Sequence, residues 1–251
     1  MIVYGVKDTN ILMYIMADFL KKLLTPYNIP FSKIRVGNNG DGGYIIFNTR
    51  LRQLDSVYSY GINNDVSFDL NFTDLSDAPI FMFDHTINNL PVQHKNFHFI
   101  KESGNYENIK KHISNTFPKS NRLFLKMDIE GHEWDIFNRL DDTTLLQFEQ
   151  MTIEFHNLEF LQNDYFGNFG ISYDIMYSVF SKLNKHFYLG HIHGNNCGGF
   201  KDIPNTIECT YIRKDLLGSI PEIETIPYPI SELDYPNAAS IPDYTLDWWI
   251  K

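Results

Sequence analysis

The chain has little cysteine, a deficit of positive charge and no long apolar run, and each shortage closes off a class of protein. Cys197 and Cys209 are the only cysteines in 251 residues. Two thiols cannot frame a disulfide-stapled fold, so a reducing compartment is the simpler reading. Lysine and arginine total 21 against 31 aspartates and glutamates, for a formal charge of −10. That balance argues against a nucleic-acid surface. It also leaves an anionic ligand without an evident basic patch, because the lysines and arginines are scattered. The apolar stretch ILMYIMADFL near the start is interrupted by Asp18 and followed by Lys21 and Lys22. It is too short to span a bilayer, and no small-residue cleavage site follows it; no membrane span is expected, and the cytoplasm is the expected location. Residues 10–24 read instead as an amphipathic helix, with Asn10 as N-cap and Pro26 near its end. Its apolar face would pack on the domain or on a partner subunit, so a homo-oligomer is open.

What the chain does have is core material. Hydrophobic residues make up 43% and aromatics 15%, including 20 Phe and 15 Tyr, unlike a disordered chain. No repeat or Gly/Ser linker divides it. Short apolar runs rich in β-branched and aromatic residues recur at residues 56–60, 79–83, 97–100, 123–127, 151–155, 187–192 and 206–212. Helix-like stretches lie between several of them, at residues 106–117, 134–140 and 173–183. This alternation predicts an α/β fold with a mainly parallel sheet and helices on both faces. Ligands of such sheets bind beyond the carboxyl ends of the strands, where polar residues crowd here. Three regions follow: an N-terminal helix and cap (1–30), the α/β domain (31–215), and a Pro- and aromatic-rich tail (216–251). The tail is expected to strap over the domain or a neighbouring subunit, since Tyr228, Tyr235, Tyr244, Trp248 and Trp249 gain by burial.

Several strand-end segments could carry chemistry. The loop Tyr60-Gly61-Ile62-Asn63-Asn64-Asp65 stands where a nucleotide-binding fold keeps its glycine turn, although Asn63 replaces a second glycine; an ordinary strand-to-helix turn is an equal alternative. Asp84, about twenty residues on, could accept both hydroxyls of a ribose or serve as a helix cap. Residues 102–104 suit adenine contacts. LKMDIEGHEW (125–134) places Asp128 and Glu130 on one side if the strand geometry persists. Gly131 permits a turn, and His132, Glu133 and Trp134 open a helix. Two carboxylates and an imidazole so close suggest a metal site or acid–base chemistry, with helix capping as the structural alternative. Strand alternation aligns Glu154 with His156 and His191 with His193. Asp128, Glu154, His156 and His193 could therefore converge as a mixed oxygen and nitrogen site for Mn²⁺, Mg²⁺ or Fe²⁺, or hydrogen-bond the loops with no metal. RVGNNGDGGY (35–44) is either a cofactor lid or a hairpin turn. GNNCGG (194–199) reads as a polar loop able to gate the site.

KMDIEGHEWDIF resembles the Asp-x-Glu-Gly-x-Glu signature of the FkbM-type methyltransferases, a branch of the class I S-adenosylmethionine-dependent enzymes. RVGNNGDGGYII, SYGINND, IEFH and HIHGNN are similar to segments of the same family, and the resemblance covers residues 34–215. It implies a Rossmann-like sheet of seven strands with the last antiparallel, and methyl transfer to a hydroxyl of a sugar or small metabolite. By position, Gly61, Asn63 and Asp65, with Tyr60, would face the methionine part of S-adenosylmethionine. Asp84 would hold the ribose, His85 and Ser103 would lie near the adenine, and Asp128 beside the methyl group. The expectation is an O-methyltransferase for a sugar, nucleotide-activated, in capsule or surface polysaccharide synthesis. Asp128 with a metal on Glu154, His156 and His193 would deprotonate the acceptor; without metal the base would be His132 or His156. The alternatives are a nicotinamide-dependent nucleotide-sugar enzyme and a catalytically silent binding module.

Overall fold

The computed structural model describes residues 20–158, 171–200 and 203–246. Lys33–Val36 (β1) and Tyr44–Phe47 (β2) pair antiparallel as a separate two-stranded sheet. Of the two readings of residues 35–44, the hairpin describes the backbone: Gly37 and Gly42 take φ of +96° and +79°, a region open to glycine at little cost.

The main sheet is built from Ser56–Tyr60 (β3), Ile80–Phe83 (β4), Phe97–Ile100 (β5), Leu123–Met127 (β6), Phe148–Phe155 (β7), Phe187–Phe200 (β8) and Ile203–Arg213 (β9). The helices are Ser67–Phe72 (α1), Tyr106–Thr116 (α2), Glu133–Arg139 (α3), Asp142–Leu145 (α4) and Tyr173–His186 (α5). Strand order is β5-β4-β3-β6-β7-β9-β8. The first five pair in parallel, and β9 inserts antiparallel between β7 and β8. This is the expected Rossmann-like sheet of seven strands with an antiparallel last strand. The chain runs outward from β3 in one direction and from β6 in the other, so the crevice between them is the topological switch point where such sheets bind ligands.

Strands β3, β5 and β6 have the bounds expected from the apolar runs. The polar segment 194–199 corrects the reading as a loop: it continues β8 against β9, with register irregularities between Leu189 and His191 and between Asn195 and Gly199. Glycine and asparagine have low intrinsic strand preference, and the pairing with β9 overrides it.

Period-two alternation gives the sheet two buried faces. Tyr58, Leu123, Leu125 and Met127 join one core with Ile109 and Ile113 of α2, Trp134 and Phe137 of α3, and Val179 and Phe180 of α5. Val57, Phe124, Ile80 and Met82 face the other way, onto Phe68 and Phe72 of α1 and Val36, Tyr44 and Ile46 of the hairpin. Asn105 and Ser172 cap α2 and α5 by accepting from the Asn108 and Ile175 amides. Each such cap contributes about 1 kcal/mol.

Residues 20–23 are helical, and Leu20 and Leu24 are buried in the first core; the rest of the helix expected over residues 10–24 lies outside the described residues. In the tail, Tyr228 and Leu246 are buried, and Asp234 lies 2.8 Å from His191 Nε2. Trp248 and Trp249 lie outside the described residues. No described helix is long and apolar enough to cross a membrane.

Candidate functional site

The carboxyl ends of β3, β4, β6 and β7 open onto a cleft of about 1140 Å³. Small-molecule sites span about 300–1,000 Å³, so the cleft is large enough for such a ligand. Gly61, Asn63, Asp65, Asp84, His85, Ser103 and Asp128 all line it. Gly61 sits at φ +78° and donates its amide to Phe83 O at 3.1 Å. A Cβ there would overlap the Asp128 carbonyl. Gly61→Ala is therefore expected to destabilise the fold by at least about 1–3 kcal/mol from backbone strain alone. A urea midpoint equal to wild type would contradict that.

Asn63 has φ +47°, a left-handed conformation asparagine tolerates better than other side chains. The missing second glycine of this turn is thereby accounted for. Asp84 clamps the turn from below. Its Oδ2 accepts from the amides of Ile62 (3.0 Å) and Asn63 (2.8 Å), and its Oδ1 from the amide and hydroxyl of Thr86 (both 2.6 Å). Burial opposes its charge, but these donors outweigh burial and hold the carboxyl below its ordinary range. Two carboxylate oxygens offer about four lone-pair sites, so any ribose hydroxyl would share acceptors the chain already uses. Asp65 accepts from the Ser67 amide and from Asn38 Nδ2, each at 2.7 Å, tying the β1–β2 loop to the start of α1.

Tyr60 is a correction. Its ring stacks on Phe83 with centroids 4.6 Å apart, and its hydroxyl meets His112 Nδ1 at 3.0 Å within the core. Alternation puts residue 60 on the same face as Tyr58, away from the cleft. Only its backbone reaches the site, where Tyr60 O accepts from the Asp128 amide at 3.1 Å.

Beyond Met127 the extended geometry does not persist: Glu130 and Gly131 take φ of +58° and +102°. The turn is held by Glu133, whose carboxylate is fully buried and accepts from the amides of Ile129 (2.7 Å) and Gly131 (2.8 Å). Glu133 Oε1 also lies 3.2 Å from His156 Nδ1. The other ring nitrogen, Nε2, stands 3.6 Å from Asp128, 3.7 Å from Glu130 and 3.9 Å from Glu154. Burial disfavours a charged imidazole here, yet the hydrogen bond and charge of Glu133, with Glu154 and Asp128, raise the His156 pKa to about 10. His132, expected as an alternative base, lines the cleft at the N-cap of α3.

Two contributors went unread in the sequence. The buried Tyr44 hydroxyl lies 3.0 Å from both Asp128 Oδ2 and Glu154 Oε2, and Asn195 Nδ2 donates to Glu154 Oε1 at 2.9 Å. Burial first, then the charges of Asp128 and Glu208, push the Glu154 carboxyl up to about 8. Tyr44 comes from the hairpin, on the far side of more than a hundred residues of chain from Glu154, and no local pattern connects them.

The expected ligand set of Asp128, Glu154, His156 and His193 is also corrected. His193 is buried between Glu208 (3.2 Å from Nδ1) and Asp243 (2.9 Å from Nε2). Burial opposes its charge, but these carboxylates hold its pKa well above the ordinary range. The cause is topological. Glu154 faces Glu208 across one strand pairing, and Glu208 faces His193 across the next. Two strand spacings, about 10 Å, separate His193 from β7. Among the described residues the atoms that do gather are those of Asp128, Glu130 and His156, within 4.8 Å of one another.

Among the described residues, seven carboxylates line the cleft (Asp41, Asp65, Asp69, Asp84, Asp128, Glu130 and Glu154) against one lysine, Lys126. This charge suits a cationic ligand and opposes an anionic one.

No curated protein matches the chain. Among solved structures, a fibrillarin pre-rRNA processing protein of Methanococcus jannaschii is similar at 9% identity and a TM-score of 0.40, over 66% of this chain and 69% of that one. A Streptococcus thermophilus protein titled "Putative hemolysin" is similar at 12% identity and a TM-score of 0.39, over 68% of this chain and 62% of that one. The strand order itself, not these likenesses, defines the fold. The family described as the methyltransferase FkbM domain matches residues 28–192, a span that holds the hairpin, the glycine turn and the whole carboxylate cluster. The chain belongs to the FkbM methyltransferase family.

Proposed function

We propose that the protein is an S-adenosylmethionine-dependent O-methyltransferase that modifies a sugar hydroxyl in the making of capsule or another surface polysaccharide. The observation that carries this reading is the placement of Asp128. Its carboxylate opens onto the cleft at the end of β6, with Tyr44 at 3.0 Å, His156 at 3.6 Å and Lys126 at 3.8 Å around it. The cleft fits the cofactor in charge, its carboxylates complementing a sulfonium cation. S-Adenosylmethionine supplies an activated methyl group to a nucleophile aligned behind it.

The chain's own task is to orient the acceptor and take its proton. Asp128 is the acceptor of that proton, and Tyr44 and Lys126 fix the carboxylate and offset the charge around it. Toward β8 and β9 the walls are neutral and hydrogen-bonding: Asn195, Asn205 and Thr206. Such groups suit a polyol. For a nucleotide-activated sugar, the sugar end would occupy this cleft, since Lys126 is the sole lysine or arginine among the described lining residues. Transfer of labelled methyl to a panel of glycosides and sugar nucleotides tests the reading. A base-stable ether product is expected. Product label that is base-labile, or absent across the panel despite cofactor binding, would reject it.

Asp128, Glu130 and His156 also fit a hard divalent ion, being two carboxylates and one imidazole within mutual reach. A bound Mn²⁺ or Mg²⁺ would lower the pKa of the acceptor hydroxyl. It would take the place of the proton that His156 otherwise carries, so its affinity should fall as pH drops. Chelation is expected to lower the rate, and Mn²⁺ or Mg²⁺ to restore it. Full activity after stringent chelation removes the metal from the proposal and leaves methyl transfer standing.

A further inference from the structure

Among the described residues the tail contributes no side chain to the cleft lining, yet it holds one of the cleft's walls. That wall comprises Asn195, Cys197, Gly198, Asn205 and Thr206, toward the end of β8 and the start of β9. The strand ladder does not fix it. Asn195 pairs with Thr206 and Gly199 with Pro204, so residues 196–198 stand opposite Asn205 alone. Such a bulge re-aims side chains, and the glycines at 194, 198 and 199 give this part of the strand little to pack.

The ties come from the tail. Asn196 is 5% exposed, and the tail engages both ends of its side-chain amide. Its Nδ2 donates to Ala238 O (3.0 Å) and Ile241 O (2.8 Å), and its Oδ1 accepts from the Ala238 amide at 2.8 Å. The residue before it turns into the site: Asn195 donates to Glu154 at 2.9 Å and accepts from the Cys197 amide at 2.8 Å. Two adjacent asparagines thus join the tail to the carboxylate cluster. Tyr244 Oη donates to Gly198 O at 3.1 Å, and Asp243 lies 2.9 Å from His193 Nε2. Asn237 Nδ2 donates to Glu208 at 2.9 Å and to Asp41, on the hairpin side of the lining, at 3.4 Å.

Hydrogen bonds weaken steeply when misaligned, so the segment that aims a neutral wall also decides which hydroxyls it can hold. We infer that tail residues 237–244 set the shape of the acceptor wall, with Asn196 as the positioning residue through which they act on Asn195. The glycine turn and Asp84 follow β3 and β4, which β6 and β7 separate from β9 in the sheet. The tail therefore governs acceptor fit and not cofactor binding. This rests on the reading of the cleft as a methyltransferase site with its acceptor toward β8 and β9.

Asn196→Ala tests the role, with the best glycoside or sugar nucleotide of the labelling panel as acceptor. The acceptor KM is expected to rise about 3–30-fold, the worth of one or two neutral hydrogen bonds. On the same scale kcat, and S-adenosylhomocysteine affinity by calorimetry, should stay within about threefold of wild type. Support of the fold alone would lower cofactor affinity along with acceptor binding. Amide hydrogen exchange at residues 195–199 should quicken by at least about fivefold as the wall loosens. Asp243→Ala acts from the tail, on His193 and not on a lining residue. It is expected to give the same split, and it decides the matter should Asn196→Ala fail to fold. An unchanged KM, or a KM and cofactor affinity that worsen together, overturns the proposal and leaves methyl transfer standing. Wild-type protein that binds no S-adenosylhomocysteine, or methylates nothing on the panel, overturns the methyltransferase reading and this role with it.

Discussion

Asp128→Asn is expected to lower methyl transfer by about 10²–10⁴-fold, the usual worth of a positioned proton acceptor, while S-adenosylhomocysteine affinity stays within a few-fold of wild type. Asparagine has nearly the same shape, and its amide oxygen can still accept from Tyr44, which stands 3.0 Å from the native carboxylate. What it cannot do is take a proton. The substitution also leaves Lys126 and the His156 imidazole facing a neutral group where they now face a charge at 3.8 Å and 3.6 Å. Single-turnover rates with saturating cofactor would separate chemistry from binding. A rate within threefold of wild type would remove Asp128 as the proton acceptor. A loss of cofactor affinity as large as the loss of rate would move its role to binding.

Glu133→Ala should produce the largest stability change of any single substitution at the site, about 3–5 kcal/mol, the cost of breaking a buried charged network from one side. The carboxylate is fully buried and meets two turn amides and His156. Alanine leaves two buried N–H groups and an imidazolium without their acceptor. For a chain of this size that corresponds to a melting temperature lower by roughly 6–20 °C. Denaturant unfolding would measure it, and a change under 1 kcal/mol would show the turn to be held by something else. The effect should also depend on pH. The His156 pKa is raised to about 10 from its ordinary value of 6.5. Its contribution is then fully present below about pH 6.5 and is lost as pH rises through about 10. The gap between wild type and variant should narrow across that interval. A gap that widens would show His156 to be neutral in the folded protein.

Both predictions concern the DIEG segment, where local pattern and tertiary structure contributed differently. The strand before it was legible because LFLKM is a short apolar run bounded by turn residues, and its bounds match β6 residue for residue. Asp128 at its end followed from the rule that places ligands at the carboxyl ends of parallel strands. Glu133, by local pattern, only favours a helix terminus. Its actual partners, two amides behind it in the turn and a histidine on β7, depend on a backbone reversal at Glu130 and Gly131 that periodicity does not encode.

The sequence by itself determined the class of fold, the strand positions and which loops meet at the cleft, because these depend on the alternation of apolar residues and on turn chemistry within a few residues. Tertiary structure alone decided which side chains touch. Insertion of β9 between β7 and β8 took His193 out of reach of Asp128 and gave it to Glu208 and Asp243. Packing of the hairpin brought Tyr44 onto Asp128 and Glu154. Contacts of this kind join segments many tens of residues apart. They follow from strand order and from helix packing, which one chain's local pattern leaves undetermined.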